Sequence, residues 1–217
     1  MRRLEGDDRL LRLEAVCALG RMGEAAAVPE VIRALLATLR DGDADLRAAA
    51  AWALGEMGAA AAVPEVLRAL LERLRDEDGG VRAAAVCALG RPGRAVTPEV
   101  LRAITERLRD EDPWVRRHAA LVLKQMGEAA AAPEVLEALA ERLWDEDPLV
   151  CDFAADVLRG IWGEAAIVLG TLLGPPTVPG TRRRSGRARR PGRTRKSPRA
   201  KGLSGSQPPL LDFGGGR

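Results

Sequence analysis

A pattern of about 35 residues recurs along most of this chain, and it constrains the fold more than any other feature. Blocks that begin LRDGDADLR at residue 39, LRDEDGGVR at 74, LRDEDPWVR at 108 and LWDEDPLVC at 143 align with one another. GDDRLLRLE from residue 6 is an incomplete first copy. A second element begins PEV and recurs between the blocks, at Pro29, Pro64, Pro98 and Pro133. Two segments that keep a constant register predict an array built from one repeated unit.

Both segments have the periodicity of an α-helix. Aromatic residues make up only 3% of the chain and Tyr is absent, whereas the abundant Ala, Leu, Arg and Glu are strong helix formers. The copy from Pro64 predicts an apolar stripe of Val66, Leu67, Leu70, Leu71 and Leu74, with Glu65, Arg68, Glu72 and Arg73 opposite. The segment from Asp43 to Met57 predicts one buried arc of Leu46, Ala49, Ala50, Ala53, Leu54 and Met57. Gly23, Gly58, Gly93 and Gly127 are predicted to end this second kind of helix.

An acidic triplet, DED, precedes the second helix at residues 76–78, 110–112 and 145–147. Asp is a good N-cap, and negative charge near a helix N-terminus is favourable, so capping explains the triplet without a ligand. The run DGDAD at 41–45 differs from a calcium loop because Leu46 and Trp52 stand where the loop needs Gly and a bidentate Glu. No metal site is predicted.

The residues also predict no catalytic site and no cofactor. His118 is the only histidine, and it occupies a repeat position that is held elsewhere by Ala49, Ala84 and Phe153. We interpret it as a partly buried structural residue. Cys151 lies among acids that should discourage its thiolate form, and no partner for nucleophilic catalysis is evident.

The recurring block PEVLxxLxxxLxDxDxxVRxAAxxALGxxG resembles the HEAT repeat, especially the short version called the PBS-lyase HEAT-like repeat. The Asp and Arg that mark this family, six residues apart, match Asp41 with Arg47, Asp76 with Arg82, and Asp110 with Arg116. The resemblance covers roughly residues 6–164. It implies an all-α fold, a right-handed armadillo-type α-solenoid of antiparallel helix pairs, with about four and a half repeats in residues 1–173. In the last copy Cys151 replaces the Arg, which indicates a degenerate cap.

The resemblance also implies that the DxxVR helices form the concave layer. Their face away from the core is predicted to include Ala48, Ala51 and Trp52, then Ala83, Val86 and Cys87, then Arg117, Ala120 and Leu121. We interpret this face as a shallow apolar groove that binds a protein partner, because Trp and Arg are common anchors of interfaces. The alternative is that neighbouring helices cover these residues. The predicted partner-binding residues are Trp52, Trp114, Arg117 and Leu121.

The net charge of +3 conceals two oppositely charged regions. Up to Glu164 the chain has 22 basic and 30 acidic residues, and after it 12 basic residues and one acid. Residues 174–217 are rich in Gly, Pro and Arg, and we predict a disordered tail. Its basic stretch predicts a nuclear-import signal or sequence-independent contacts with nucleic acid. The candidate residues are Arg182, Arg183, Arg184, Arg187, Arg189, Arg190, Arg193, Arg195 and Lys196.

The sequence therefore favours a non-enzymatic scaffold that binds a protein on the concave face. One alternative is a nuclear or nucleic-acid-associated protein that acts through its tail. Another is a bilin-lyase-like accessory protein, or part of a larger signalling protein. The apolar run at residues 165–174 is too short to span a membrane, and the charged start is unlike a signal peptide. We expect an intracellular monomer, cytoplasmic or, in a eukaryote, nuclear.

Overall fold

The computed structural model describes residues 2–93 and 96–163, with side chains from Asp8 onward. All of them belong to one compact unit. Within the described ranges the secondary structure is entirely helical. The α-helices are α1 (Arg2–Met22), α2 (Pro29–Thr38), α3 (Ala44–Glu56), α4 (Pro64–Arg73), α5 (Gly79–Leu89), α6 (Pro98–Arg107), α7 (Pro113–Met126), α8 (Pro133–Arg142) and α9 (Pro148–Trp162). The predicted division at residue 174 and the basic tail lie outside the described residues.

The helices form two layers. In the first layer, α1, α3, α5, α7 and α9 pack against one another in chain order. In the second layer, α2, α4, α6 and α8 each pack against the first-layer helix that follows in the chain. Each repeat is therefore a helix pair that buries its apolar stripe against its own partner and its neighbours, which confirms the predicted α-solenoid.

The predicted helix boundaries follow from local chemistry. Every second-layer helix begins at its proline, whose missing N–H would have no helical partner. In each complete repeat, an aspartate caps the first-layer helix by accepting backbone N–H groups; Asp112, for example, accepts the N–H of Trp114 at 2.8 Å. Gly58 adopts φ +52° after α3, a conformation that residues with a side chain rarely adopt. Helix α5 ends early, at Leu89, because Pro92 restricts the residue before it to extended conformations.

The core contains the predicted stripes. Val66 and Leu70 of α4 and Leu74 at its C-cap are buried, whereas Leu67 and Leu71 are half-buried at its margin. Small residues let the first-layer helices approach closely, as at Gly55, where an added Cβ would lie 2.9 Å from the Cα of Ala88. The same close packing covers residues that the sequence placed on an open groove, namely Ala51, Ala83, Val86 and Ala120, all of which are buried. For these four positions, the alternative that neighbouring helices cover them is correct.

A ladder of buried arginines joins each repeat to the next. Arg82 on α5 donates from Nε and Nη2 to the carboxylate of Asp110 at 3.0 and 2.7 Å. Its Nη1 donates to the carbonyl oxygens of Asp76 and Glu77, at 2.9 and 3.1 Å. Arg47 makes the same contacts with Asp76 and its own loop, and Arg116 with Asp145 and its own loop. One guanidinium therefore closes its own interhelical loop and binds the next one.

The ladder shows which arginine each marker aspartate of the repeat binds. The sequence pattern couples Asp76 with Arg82 in one repeat, but Arg82 meets that residue only at its backbone carbonyl. The carboxylate of Asp76 instead binds Arg47 of the preceding repeat, at 2.7 and 3.0 Å. Burial raises the pKa of Asp76, but the hydrogen bonds from Arg47 and from the N–H of Asp78, together with the charges of Arg47 and Arg73, outweigh burial and hold this pKa below its usual value. The marker residues thus connect neighbouring repeats as well as closing the loop within one repeat.

The ladder position is also occupied at the two ends of the described array, by an arginine at one end and a cysteine at the other. Arg12 of α1 occupies the ladder position of the incomplete first copy and pairs with Asp41. In the last copy Cys151 replaces the arginine, and its Sγ contacts the carbonyl oxygen of Asp145 at 3.2 Å. The thiol therefore keeps one loop-closing contact of the arginine but has no group that could bind a further carboxylate.

The three acids of each DED triplet have different positions. The first, such as Asp110, is buried in the ladder, and the third, such as Asp112, caps the following helix. The middle residue, such as Glu111, projects into solvent and approaches the ladder arginine only at 3.4 Å. The predicted capping role is confirmed for the third acid, whereas the first acid links two repeats.

Candidate protein-binding surface

Trp114 lies exposed at the second position of α7, with 42% of its surface accessible. Its indole ring packs edge-on against His118 one turn later, with 4.5 Å between the ring centroids. His118 itself is buried, and its Nδ1 lies 2.7 Å from the carbonyl oxygen of Trp114; this oxygen can only accept a hydrogen bond, so Nδ1–H is the donor. Burial lowers the pKa of His118, so its neutral form is favoured. The histidine thus supports the exposed tryptophan, as expected of a structural residue.

Arg117 lies on the next turn of α7 and forms an ion pair with Asp147 of the following repeat. Asp147 is also the N-cap of α9, where it accepts the N–H of Leu149 at 2.9 Å. The hydrogen bond from Arg117 lowers the pKa of Asp147. Arg117 was predicted to bind a partner. In the structure its guanidinium links α7 to the beginning of α9, which holds the neighbouring surface in place.

Two exposed apolar residues of this region were not predicted from the sequence. Leu149 occupies the position of Trp114 one repeat later and is 47% exposed. Trp144 lies exposed at a loop position that holds Arg40, Arg75 and Arg109 in the other repeats. Both depart from the repeat in sequence, since Leu149 replaces Asp45 and Gly80 near the start of its helix and Trp144 replaces an arginine, but their exposure is given only by the structure. We call Trp114 and Leu149 the apolar edge.

The repeats that carry the apolar edge are also the most acidic. Residues 96–163 contain 14 acidic and eight basic residues, a net charge of −6, whereas residues 8–93 contain 13 and 11, a net charge of −2. Glu111 and Glu146 project from the loops beside the edge and are almost fully exposed. This surface combines apolar anchors with a negative field, which attracts a partner of positive charge.

The other predicted residues have more enclosed environments. The ring of Trp52 covers Gly20, where an added Cβ would overlap it, so this tryptophan packs α3 against α1. Leu121 is half-buried on α7. The structure therefore brings Trp114 and Arg117 together at one edge, and it places Trp52 two first-layer helices away.

The family of the chain follows from its repeats. The family model of HEAT repeats matches residues 1–89 and, in a second overlapping match, residues 67–159. The chain belongs to the HEAT repeat family. The Asp–Arg ladder and the two helix layers described above are thus features of a HEAT array, and the apolar edge is a departure confined to its last two described repeats.

Solved structures with similar folds are themselves repeat proteins. An engineered protein from the Northeast Structural Genomics Consortium superposes with a TM-score of 0.55 at 21% identity, covering 74% of this chain and 79% of that one. A designed armadillo repeat protein in complex with the peptide (KR)4 superposes with a TM-score of 0.54 at 16% identity, covering 74% and 80%. The search of curated proteins found no match. These similarities establish the fold.

Neither a metal centre nor a reactive thiol emerges in the described part of this HEAT array. No group of three His, Cys, Asp or Glu side chains there could hold a metal ion. Burial raises the pKa of Cys87 to about 12. The pKa of Cys151 is raised chiefly by burial, with a smaller contribution from Asp145 and Asp152, so the acidic surroundings act in the predicted direction. Of the helices in the described ranges, none has the length and apolar character to cross a bilayer.

The nine basic residues predicted to bind nucleic acid or an import receptor, from Arg182 to Lys196, lie outside the described residues. Their role remains a prediction from the sequence.

Proposed function

We propose that this HEAT array is a non-enzymatic scaffold that binds a basic segment of another protein at the apolar edge. The observation that carries the proposal is the exposure of Trp114 and Leu149 at equivalent positions of adjacent repeats. The preceding repeats have Asp45 and Gly80 there, so neither apolar side chain is needed to build the fold. An exposed Trp is typical of an interface anchor.

The charge of the same repeats supports a basic ligand. The net charge of −6 over residues 96–163 favours approach of Lys- and Arg-rich segments, and a cationic side chain can also stack on the face of Trp114. The designed armadillo protein of similar fold is in complex with the basic peptide (KR)4. A ligand of the same class fits the acidic repeats of this chain.

The test is selection from a random peptide library displayed on phage against the immobilised full-length protein. We expect the enriched peptides to combine basic residues with an apolar residue. Replacing both Trp114 and Leu149 with Ala should weaken their binding at least about tenfold, because loss of a tryptophan anchor commonly costs about 2 kcal/mol or more.

The matched control replaces Val28 and Val63 with Ala, since both are exposed apolar residues far along the chain from the edge. Their loss should leave peptide binding unchanged. Enrichment of acidic peptides, or equal binding by the Trp114→Ala/Leu149→Ala variant, would refute the assignment.

We also propose a second activity, sequence-independent binding of nucleic acid through residues 181–201, which contain 11 basic residues and no acid. Affinity for a labelled DNA duplex should fall by about 10³-fold or more between 50 and 200 mM salt if six or more phosphates are contacted. Deletion of residues 181–201 should abolish this binding. Salt-insensitive binding that survives the deletion would contradict the proposal.

A further inference from the structure

Helix α1 exposes an apolar stripe whose counterpart in α3 is buried, and whose first three positions are buried in every other first-layer helix. The stripe consists of Leu11, Ala15, Ala18 and Met22, spaced by four, three and four residues, which places them on one face of the helix. All four are exposed. Leu10 beside them is exposed as well. We call these four residues the α1 stripe.

The repeat shows how unusual this exposure is. Leu11 is 63% exposed, whereas Leu46, its equivalent in α3, is 1% exposed. Met22 is 57% exposed, whereas Met57 is fully buried. The two alanines correspond to Ala50 and Ala53, which are also fully buried. Helix α3 packs against the two helices that precede it, α1 and α2. Within the described residues no helix covers the α1 stripe.

The other end of the described array has a different surface. Helix α9 carries Asp152, Asp156 and Arg159 at the positions of Ala48, Trp52 and Gly55, and Gly55 is the position where α3 contacts α5 of the following repeat. Asp156 is paired with Lys124 at 2.8 Å and with Arg159 at 3.0 Å. Terminal repeats of solenoids remain soluble by such polar outer faces. The α1 stripe has the composition of an interior surface, and water contact with it is unfavourable.

We propose that the α1 stripe binds an amphipathic α-helix of a partner protein, which continues the interface between the two layers by one more helix. The second-layer helices indicate the chemistry of this ligand. They bury aliphatic side chains at intervals of four residues, as α4 and its C-cap do with Val66, Leu70 and Leu74, against alanine-rich first-layer helices. The partner helix needs large aliphatic residues at the same spacing and a polar opposite face.

The shape of the stripe favours such a helix over a second copy of this chain. Its centre consists of two alanines, which leave a shallow trough between Leu11 and Met22. Large aliphatic side chains of a partner helix would fill that trough. Two α1 helices facing each other would bring alanine against alanine and leave space unfilled, which weakens packing. The α1 stripe is separate from the apolar edge, so the binding proposal for one site can be refuted without affecting the other.

The experiment uses the full-length protein and a fluorescein-labelled, hydrocarbon-stapled helical peptide with the sequence PEVLRALLERLR, taken from residues 64–75. The staple joins solvent-facing positions and keeps this short peptide helical, since an isolated helix of 12 residues is only marginally stable. We expect saturable binding and protection of the α1 amides from hydrogen exchange. A peptide with serine in place of its second, third and fourth leucines, which occupy the positions of Leu70, Leu71 and Leu74, should not bind.

Replacing Leu11 and Met22 with Glu should weaken peptide binding at least about tenfold, because a carboxylate would have to be buried without a partner. The control variant Val63→Glu places the same charge at an exposed apolar residue that lies outside both proposed binding surfaces, and it should bind normally. Both variants should retain the wild-type melting temperature, and Leu11→Ser with Met22→Ser serves instead if the glutamates prevent folding.

Absence of saturable binding by the wild type, or equal binding by the α1 variants, would overturn the proposal. Analytical ultracentrifugation tests the alternative that a second copy of this chain binds the α1 stripe. If the unliganded protein is a dimer that Leu11→Glu dissociates, the stripe is the interface between two copies and the proposed partner helix is wrong.

Discussion

Replacing Arg82 with Ala is expected to lower the free energy of unfolding by about 3–5 kcal/mol, the loss typical of breaking one side of a buried ion pair. Arg82 is 6% exposed, and its guanidinium makes four hydrogen bonds within 3.1 Å to two successive loops. Its removal leaves the buried carboxylate of Asp110 without its bidentate partner and two loop carbonyls without a donor. Urea unfolding followed by circular dichroism measures the loss.

Two further variants distinguish the loss of the Arg82–Asp110 ion pair from the loss of an arginine side chain in general. Arg102→Ala removes an exposed arginine of α6 and should change stability by less than about 0.5 kcal/mol. Arg82→Leu combined with Asp110→Asn removes both charges but keeps an oxygen to accept the N–H of Asp112, so it should be more stable than Arg82→Ala. A loss below 1 kcal/mol for Arg82→Ala would show that the ladder is not a principal coupling between repeats.

Replacing Leu70 with Ala is expected to cost about 2–5 kcal/mol, because the side chain is fully buried and its removal leaves a cavity between the layers. Leu67 lies on the same helix but is only half-buried, so Leu67→Ala should cost clearly less. Both variants remove the same side chain from the same helix, so the difference between their losses of stability measures the effect of burial. Comparable losses for both variants in urea unfolding would contradict the layer packing described for α4.

Much of the fold could be predicted because its signals are local and repeated. A proline at the first turn, an aspartate at the N-cap and a glycine after the last turn act within one or two turns of helix, as at Pro64, Asp78 and Gly58. The apolar spacing that predicted burial of Leu70 also depends only on helix geometry. Repetition strengthens each of these signals, since every copy is an independent observation of the same pattern.

Contacts between repeats could not be predicted in the same way. Asp76 and Arg82 are close in sequence, yet the carboxylate of Asp76 binds Arg47, 29 residues earlier. The groove prediction treated Ala51 and Ala120 as a surface, because helix periodicity identifies which residues share a face but not how closely the next helix approaches. The exposure of Leu149 in the repeat after Trp114 depends on how α7 and α9 pack, which the sequence does not give.

The sequence by itself determined that this protein is a HEAT array: its helices, their ends and their buried stripes follow from propensity, capping and periodicity within each repeat. Only the tertiary structure decided which carboxylate each buried arginine binds, which small residues are covered, and that α1 and the apolar edge remain open. The physical reason is that the first set of features depends on neighbours along the chain. The second depends on the distance and rotation between successive helix pairs, which no single repeat encodes.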